Sequence, residues 1–138
     1  MVKFKYVALA VLVGVAAATL RPVAGGVEGR LFPVVKRAQI TSVDALGETR
    51  SVIYGTSSRL RSCAFRRVDF FLGTPEANAR VDLDMRETSK VRPGGEFDFG
   101  PWLVQLTPDQ FPRAFAVVKH RCHPFWLTES LFYLGSVE

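Results

Sequence analysis

The sequence is poor in the residues that most enzymes put to work: in 138 residues it has two His, two Cys and a single Asn at position 78. Only His120 and His123 offer a side chain that exchanges protons near neutral pH, which leaves little material for general acid–base catalysis. No Gly-x-Ser-x-Gly elbow, His-Glu-x-x-His helix, Walker loop or Gly-x-Gly-x-x-Gly turn is present. Internal repeats and low-complexity tracts are also missing, and only one long uncharged run occurs, so a solenoid, a disordered chain or a multi-span membrane protein is not expected. What remains is 48% hydrophobic and 22% charged, with eleven Phe, as suits one small domain with a well-filled core.

The uncharged run stands at the amino terminus. Lys3 and Lys5 precede Tyr6 to Leu20, and Arg21-Pro22 ends the run. At about 1.5 Å per residue these positions reach roughly 22 Å, short of the roughly 30 Å hydrocarbon core, which is the proportion of a secretory signal. Ala16-Ala17-Ala18 supplies small residues for a signal peptidase, and Val23-Ala24-Gly25 is a second possible site. Phe4 and Leu20 lengthen the apolar stretch, so an uncleaved anchor through residues 4–20 is the competing reading. In both cases Lys3 and Lys5 stay on the cytoplasmic side and the rest is exported. Residues 1–20 are therefore read as signal or anchor, 21–29 as a linker, and 30–138 as the folded domain. Losing residues 1–18 removes Lys3 and Lys5 and no acid, so the net charge falls from +5 to +3.

An exported chain with an even number of cysteines points to a disulfide, here Cys63 with Cys122. Closing so long a loop stabilises a fold by roughly 4 kcal/mol in the chain-entropy model. A zinc site using Cys63, His120, Cys122 and His123 is the alternative. It is weakened because Cys122 and His123 are adjacent, and Cys63 has no second ligand two to four residues away. Arg121-Cys122-His123 lacks the first cysteine of a haem-attachment motif, so neither a metal nor any other cofactor is expected.

From position 30 onward the pattern is of short β segments separated by turn signals. Strands are expected near 30–35, 38–43, 50–55, 60–72, 79–86, 97–106, 113–122 and 125–134. Turns are marked at 44–48, 73–75, 92–95 and 107–109. The clearest strand is 79–86, where Val81, Leu83 and Met85 alternate with charged residues. Within 60–72 the apolar parity changes at Arg66-Arg67, which predicts a bulge, and Gly100-Pro101 predicts a kink or break in 97–106. Residues 108–113 suit a helical turn, and 128–134 fit a short amphipathic helix as the alternative to a strand. The expected fold is all-β: a compact antiparallel β-sandwich, immunoglobulin-like in outline, preceded by one hydrophobic helix. It departs from immunoglobulin domains in having no Trp about a dozen residues after Cys63, and His120 where the corner tyrosine would stand.

Candidate surface features are few. Arg59, Arg61, Arg66 and Arg67 cluster around Cys63, and with interleaved Phe65, Phe70 and Phe71 they offer either a solvated strand face or a groove for polyanions. Export argues against nucleic acid and leaves anionic headgroups or an envelope polymer. Trp102 and Trp126, each beside a proline and a phenylalanine, are core residues or a shelf for a sugar or a partner chain. Asp82 with Asp84, and Glu96 with Asp98, each project from one strand face in the spacing of an ordinary wet face, and less often of a catalytic pair. His120 shares parity with Ala116, Val118 and Cys122 and is expected beside the disulfide.

The stretch Phe97-Asp98-Phe99-Gly100-Pro101-Trp102-Leu103-Val104, with Phe115 to Glu129, resembles a family of short exported proteins of tailed phages and prophages. The resemblance implies a virus-encoded protein delivered to the host envelope, with a role in lysis, adhesion or exclusion, and carries no activity with it. The expectation is a non-enzymatic, disulfide-stabilised binding module, periplasmic or anchored to the inner membrane, whose partner is a protein or an envelope polymer. An envelope hydrolase using His120 or a carboxylate pair, and a structural virion component, are the alternatives.

Overall fold

A computed structural model of the chain describes residues 2–85 and 95–135. Helix α1 covers Val2–Leu31, and eight strands follow: β1 Gln39–Leu46, β2 Arg50–Ser58, β3 Ala64–Gly73, β4 Asn78–Val81, β5 Leu83–Met85, β6 Glu96–Val104, β7 Ala114–Arg121 and β8 Thr128–Leu134. They form two antiparallel four-stranded sheets, ordered β1-β2-β6-β5 and β4-β3-β7-β8. Pro108–Arg113 is a 3-10 turn, as its sequence suggests.

The sheets face one another across a single core. Phe99 and Trp102 of β6 meet Phe132 of β8 at ring-centroid distances of 5.2 and 5.8 Å, joining the layers. Ile53, Val68, Phe70, Val104, Leu106 and Val118 fill the rest. The all-β class and the apolar amino-terminal helix expected from the sequence are both present, whereas the immunoglobulin-like detail has no counterpart to report.

Alternation is cleanest in β2, whose residues are buried at every second position from Ser51 to Ser57. The parity change at Arg66 is a bulge: Phe65 pairs with His120 and Arg67 with Lys119, leaving Arg66 outside the ladder. Gly100-Pro101 kinks β6 without ending it. Ile53 pairs with Trp102 and Gly55 with Phe99, so two residues of β6 oppose Tyr54 alone. Gly100 adopts φ 109°, a conformation that costs any other residue dearly.

Two expectations about elements are corrected. The strand at 79–86 is two strands in different sheets: β4 pairs with β3, the chain crosses over at Asp82, and β5 pairs with β6. Short edge strands of the two sheets meet at that corner, which no single-strand pattern reveals. Residues 30–35 are not a strand, because the helix runs to Leu31 and stops ahead of Pro33, whose ring disfavours helical geometry in the residue before it. Only Val35 bridges, to Arg59. Residues 21–29, read as a linker in the sequence, are helical and form the second part of α1. The Pro93 turn and Arg86 lie outside the described residues.

Candidate functional site

The feature with the densest chemistry is the junction between the end of α1 and β8. Strand β8 is the last of its sheet, so its outer carbonyls would face solvent as an open edge. Helix α1 lies along that edge. A Cβ placed on Gly25 would overlap the carbonyl oxygen of Leu127, and one on Gly29 would overlap that of Glu129. Glycine at both positions, one helical turn apart on one face, lets the helix backbone reach the strand backbone, with Cα–H groups directed at the edge oxygens. The helix thus covers an edge that would otherwise invite another strand.

Between these glycines Glu28 projects into a ring of donors. Its Oε2 accepts from Trp126 Nε1 at 2.7 Å, from His123 Nε2 at 2.9 Å and from Thr128 Oγ1 at 3.0 Å. Its Oε1 accepts from the Arg61 guanidinium at 3.0 Å. The tautomer of His123 follows from its other nitrogen: Nδ1 accepts from the Phe125 amide at 3.3 Å, so the ring hydrogen sits on Nε2 and is given to Glu28. Arg61 also donates to the Phe32 carbonyl at 2.9 Å, just past the helix end, where a cation is favoured by the helix dipole.

Partial burial by itself pushes the Glu28 carboxyl up, but the hydrogen bonds from His123, Trp126, Arg61 and Thr128 outweigh it and hold the pKa at about 2 against an ordinary 4.5. The group is ionised at neutral pH and both of its oxygens are engaged, Oε2 by three donors and Oε1 by Arg61. A carboxylate that holds four donors at so low a pKa is too weak a base to take a proton at neutral pH, and its bonds tie the helix to the strand, so the cluster works as a latch.

The latch is rooted at the disulfide. Cys63 and Cys122 are bonded, with Cα atoms 4.7 Å apart, so both sulfurs are taken and no thiolate remains for zinc. Cys122 adjoins His123, and Cys63 lies two residues past Arg61. The bridge therefore holds together the two segments that bring donors to Glu28.

The residues singled out in the sequence do not form one surface. Arg61 belongs to the latch. Arg67 reaches Asp69 Oδ2 at 3.1 Å, and Arg80 holds the other oxygen at 2.8 Å. Arg66 is exposed on the bulge. Arg59 is exposed too, and its amide donates to Gly95. Trp102 is 5% exposed and packs at 4.6 Å against Phe99, so of its two readings, core or shelf, it is a core residue. Trp126 turns its indole nitrogen inward to Glu28. Position 120 is buried beside Phe65, whose ring is 5.8 Å away, and burial lowers the His120 pKa from its usual 6.5. Asp82, Asp84, Glu96 and Asp98 are exposed; Asp82 and Asp84 line a shallow groove with Thr49, Arg50 and Gln105. Among the described residues no group of three or more His, Cys, Asp or Glu has the geometry to hold a metal.

Sequence reasoning passed over Gly25, Glu28, Gly29 and Thr128, all central to the junction. Two signals were legible: the four-residue glycine spacing, and the position of Glu28 as the first acidic residue in the chain, with no other before Asp44.

The first part of α1 differs sharply. A 29-residue stretch, Lys3–Leu31, is long and apolar enough to cross a membrane, with mean hydropathy 2.0 in its most apolar window and none of that window buried against the domain. An apolar amino-terminal helix joined to a disulfide-bonded domain suits export into an oxidising compartment. Comparison with protein-family models, with curated proteins and with solved structures finds no match to this chain.

Proposed function

We propose that the chain is an exported, non-enzymatic β-sandwich module that keeps its amino-terminal helix and is held by it at a membrane surface, where the domain binds a protein or an envelope polymer. The observation that carries this reading is the continuity of α1, which passes from a segment with no partner among the described residues into a segment that packs along the β8 edge. Cutting after Ala18 would require unwinding within about two helical turns of the docked Gly25. Lys3 and Lys5 remain on the cytoplasmic side and the domain faces the periplasm. The resemblance to short exported phage and prophage proteins makes delivery to a host envelope the biological setting.

The test is to extract the membrane fraction with alkaline carbonate and weigh the protein intact, with thiol alkylation before and after reduction. The reading expects a full-length chain beginning at Met1 in the pellet, alkylated only after reduction. A soluble chain beginning at Thr19 or Gly26 contradicts the anchor. Recovery of the full-length protein in purified virus particles alone contradicts the envelope module.

A further inference from the structure

The position of the latch along α1 fixes which part of the domain meets the bilayer. Residues 4–20 span only about 25 Å at 1.5 Å each, so a hydrocarbon core of roughly 30 Å draws the next turn, 21–24, to its boundary, with Arg21 extending its charge to the headgroups. Val23 in that turn is apolar and 61% exposed. Gly25 follows at once and lies against Leu127, while Gly29 lies against Glu129, so helix and strand run in the same direction away from the membrane. The segment between β7 and β8, residues 122–127, is therefore the membrane-proximal end of the domain.

We infer that this β7–β8 loop is a second membrane contact, with Phe125 inserted at the headgroup–acyl boundary beside the anchor helix. The inference rests on the retained-anchor reading. Headgroups add roughly 5–7 Å per leaflet, and the loop begins within that depth of the hydrocarbon edge. Phe125 is 66% exposed although its ring has neighbours, 5.7 Å from His123 and 6.2 Å from Trp126. An exposed aromatic beside an indole whose polar nitrogen already has a partner suits the interface, where amphipathic rings gather. Arg121 is exposed at the loop's base, its guanidinium 3.4 Å from the Pro124 carbonyl, and supplies a cation for lipid phosphate. The Cys63–Cys122 bond and the His123 contact to the Phe125 amide fix the loop's shape before it meets lipid, so little ordering is left for insertion to impose.

The experiment uses the full-length protein in vesicles of phosphatidylethanolamine with a minority of phosphatidylglycerol. Phe125→Trp adds an indole at an exposed position, and its emission is taken as the difference from wild type. Lipids carrying a spin label near the glycerol or near the chain end quench it, as does aqueous iodide. The expected result is roughly twofold stronger quenching by the shallow label than by the deep one, and shielding from iodide. Wild-type protein gives a second reading through Trp126 in the same loop, with buried Trp102 as the unquenched background. An indole open to iodide and untouched by either label, on a chain that still resists carbonate, overturns the loop contact and leaves the anchor standing. Shielding in native membranes but not in pure lipid vesicles also overturns it, since a protein would then cover the loop. A chain that carbonate releases without its first residues defeats both readings at once.

Discussion

Along α1 the residues from Phe4 to Leu20 and those from Gly25 to Leu31 share one hydrogen-bonded helix and meet opposite surroundings. The first stretch is largely apolar and touches nothing else among the described residues, with Phe4 80% and Leu12 68% exposed. A helix hydrophobic all round belongs in an apolar solvent, and its side chains specify only that solvent. The second stretch is specified position by position: two glycines for backbone approach and one carboxylate for four donors. The first is replaceable by any apolar run of similar length, and in the second Gly25, Glu28 and Gly29 tolerate almost no change. Because the two are continuous, the retained anchor proposed above would set the domain against the membrane in one orientation rather than let it swing on a tether.

That contrast can be broken in graded ways. Cys63→Ser with Cys122→Ser, or reduction, removes the root of the donor segments and should lower unfolding stability by about 4 kcal/mol, as read by urea titration in detergent. Gly29→Leu places a side chain on the Glu129 carbonyl and should cost about 3 kcal/mol, whereas Gly14→Leu in the apolar part, where a Cβ meets nothing, should leave the midpoint unchanged. Glu28→Ala leaves Trp126, Thr128 and Arg61 without their acceptor and should cost about 2 kcal/mol in the same titration, with membrane retention unaffected.

The smallest effects are in pH. The Glu28 pKa of about 2 lies below its ordinary 4.5, so its contribution is complete above pH 4.5 and drains away as pH falls toward 2. His120 is also depressed, by burial, so the folded state resists protonation and stability declines as pH falls below the ordinary 6.5. Melting temperature followed from pH 8 to pH 2 should show both declines, and Glu28→Gln should shrink the lower one, leaving the part due to Asp109, whose carboxyl the Thr107 hydroxyl also holds down, and leave the upper one unchanged.

The same contrast explains what the sequence could disclose. Strands β2, β6 and β7 were legible because alternation is a local consequence of a half-buried pleat, and the Arg66 bulge because a parity change has few other causes. The docked end of α1 was not, since Pro22, Gly25 and Gly26 are helix breakers when read alone. They become helical because the β8 edge rewards close approach, and that edge is built from residues a hundred positions later. The split at Asp82 was hidden for a related reason: Val81 and Leu83 alternate correctly in either sheet, and only the corner where two edges meet assigns them to different ones. Trp126 illustrates the limit for the site, because an aromatic shelf and a donor to a buried carboxylate have the same local sequence.

Hydrogen exchange at the α1 amides of the full-length protein in a bilayer tests the docking most directly. The account predicts that residues 26–31 exchange only with global opening, in step with Thr128–Ser130, and that Glu28→Ala uncouples them. Fast exchange across 26–31 while β7 and β3 stay protected would contradict it, and would return that segment to a flexible connection between membrane and domain.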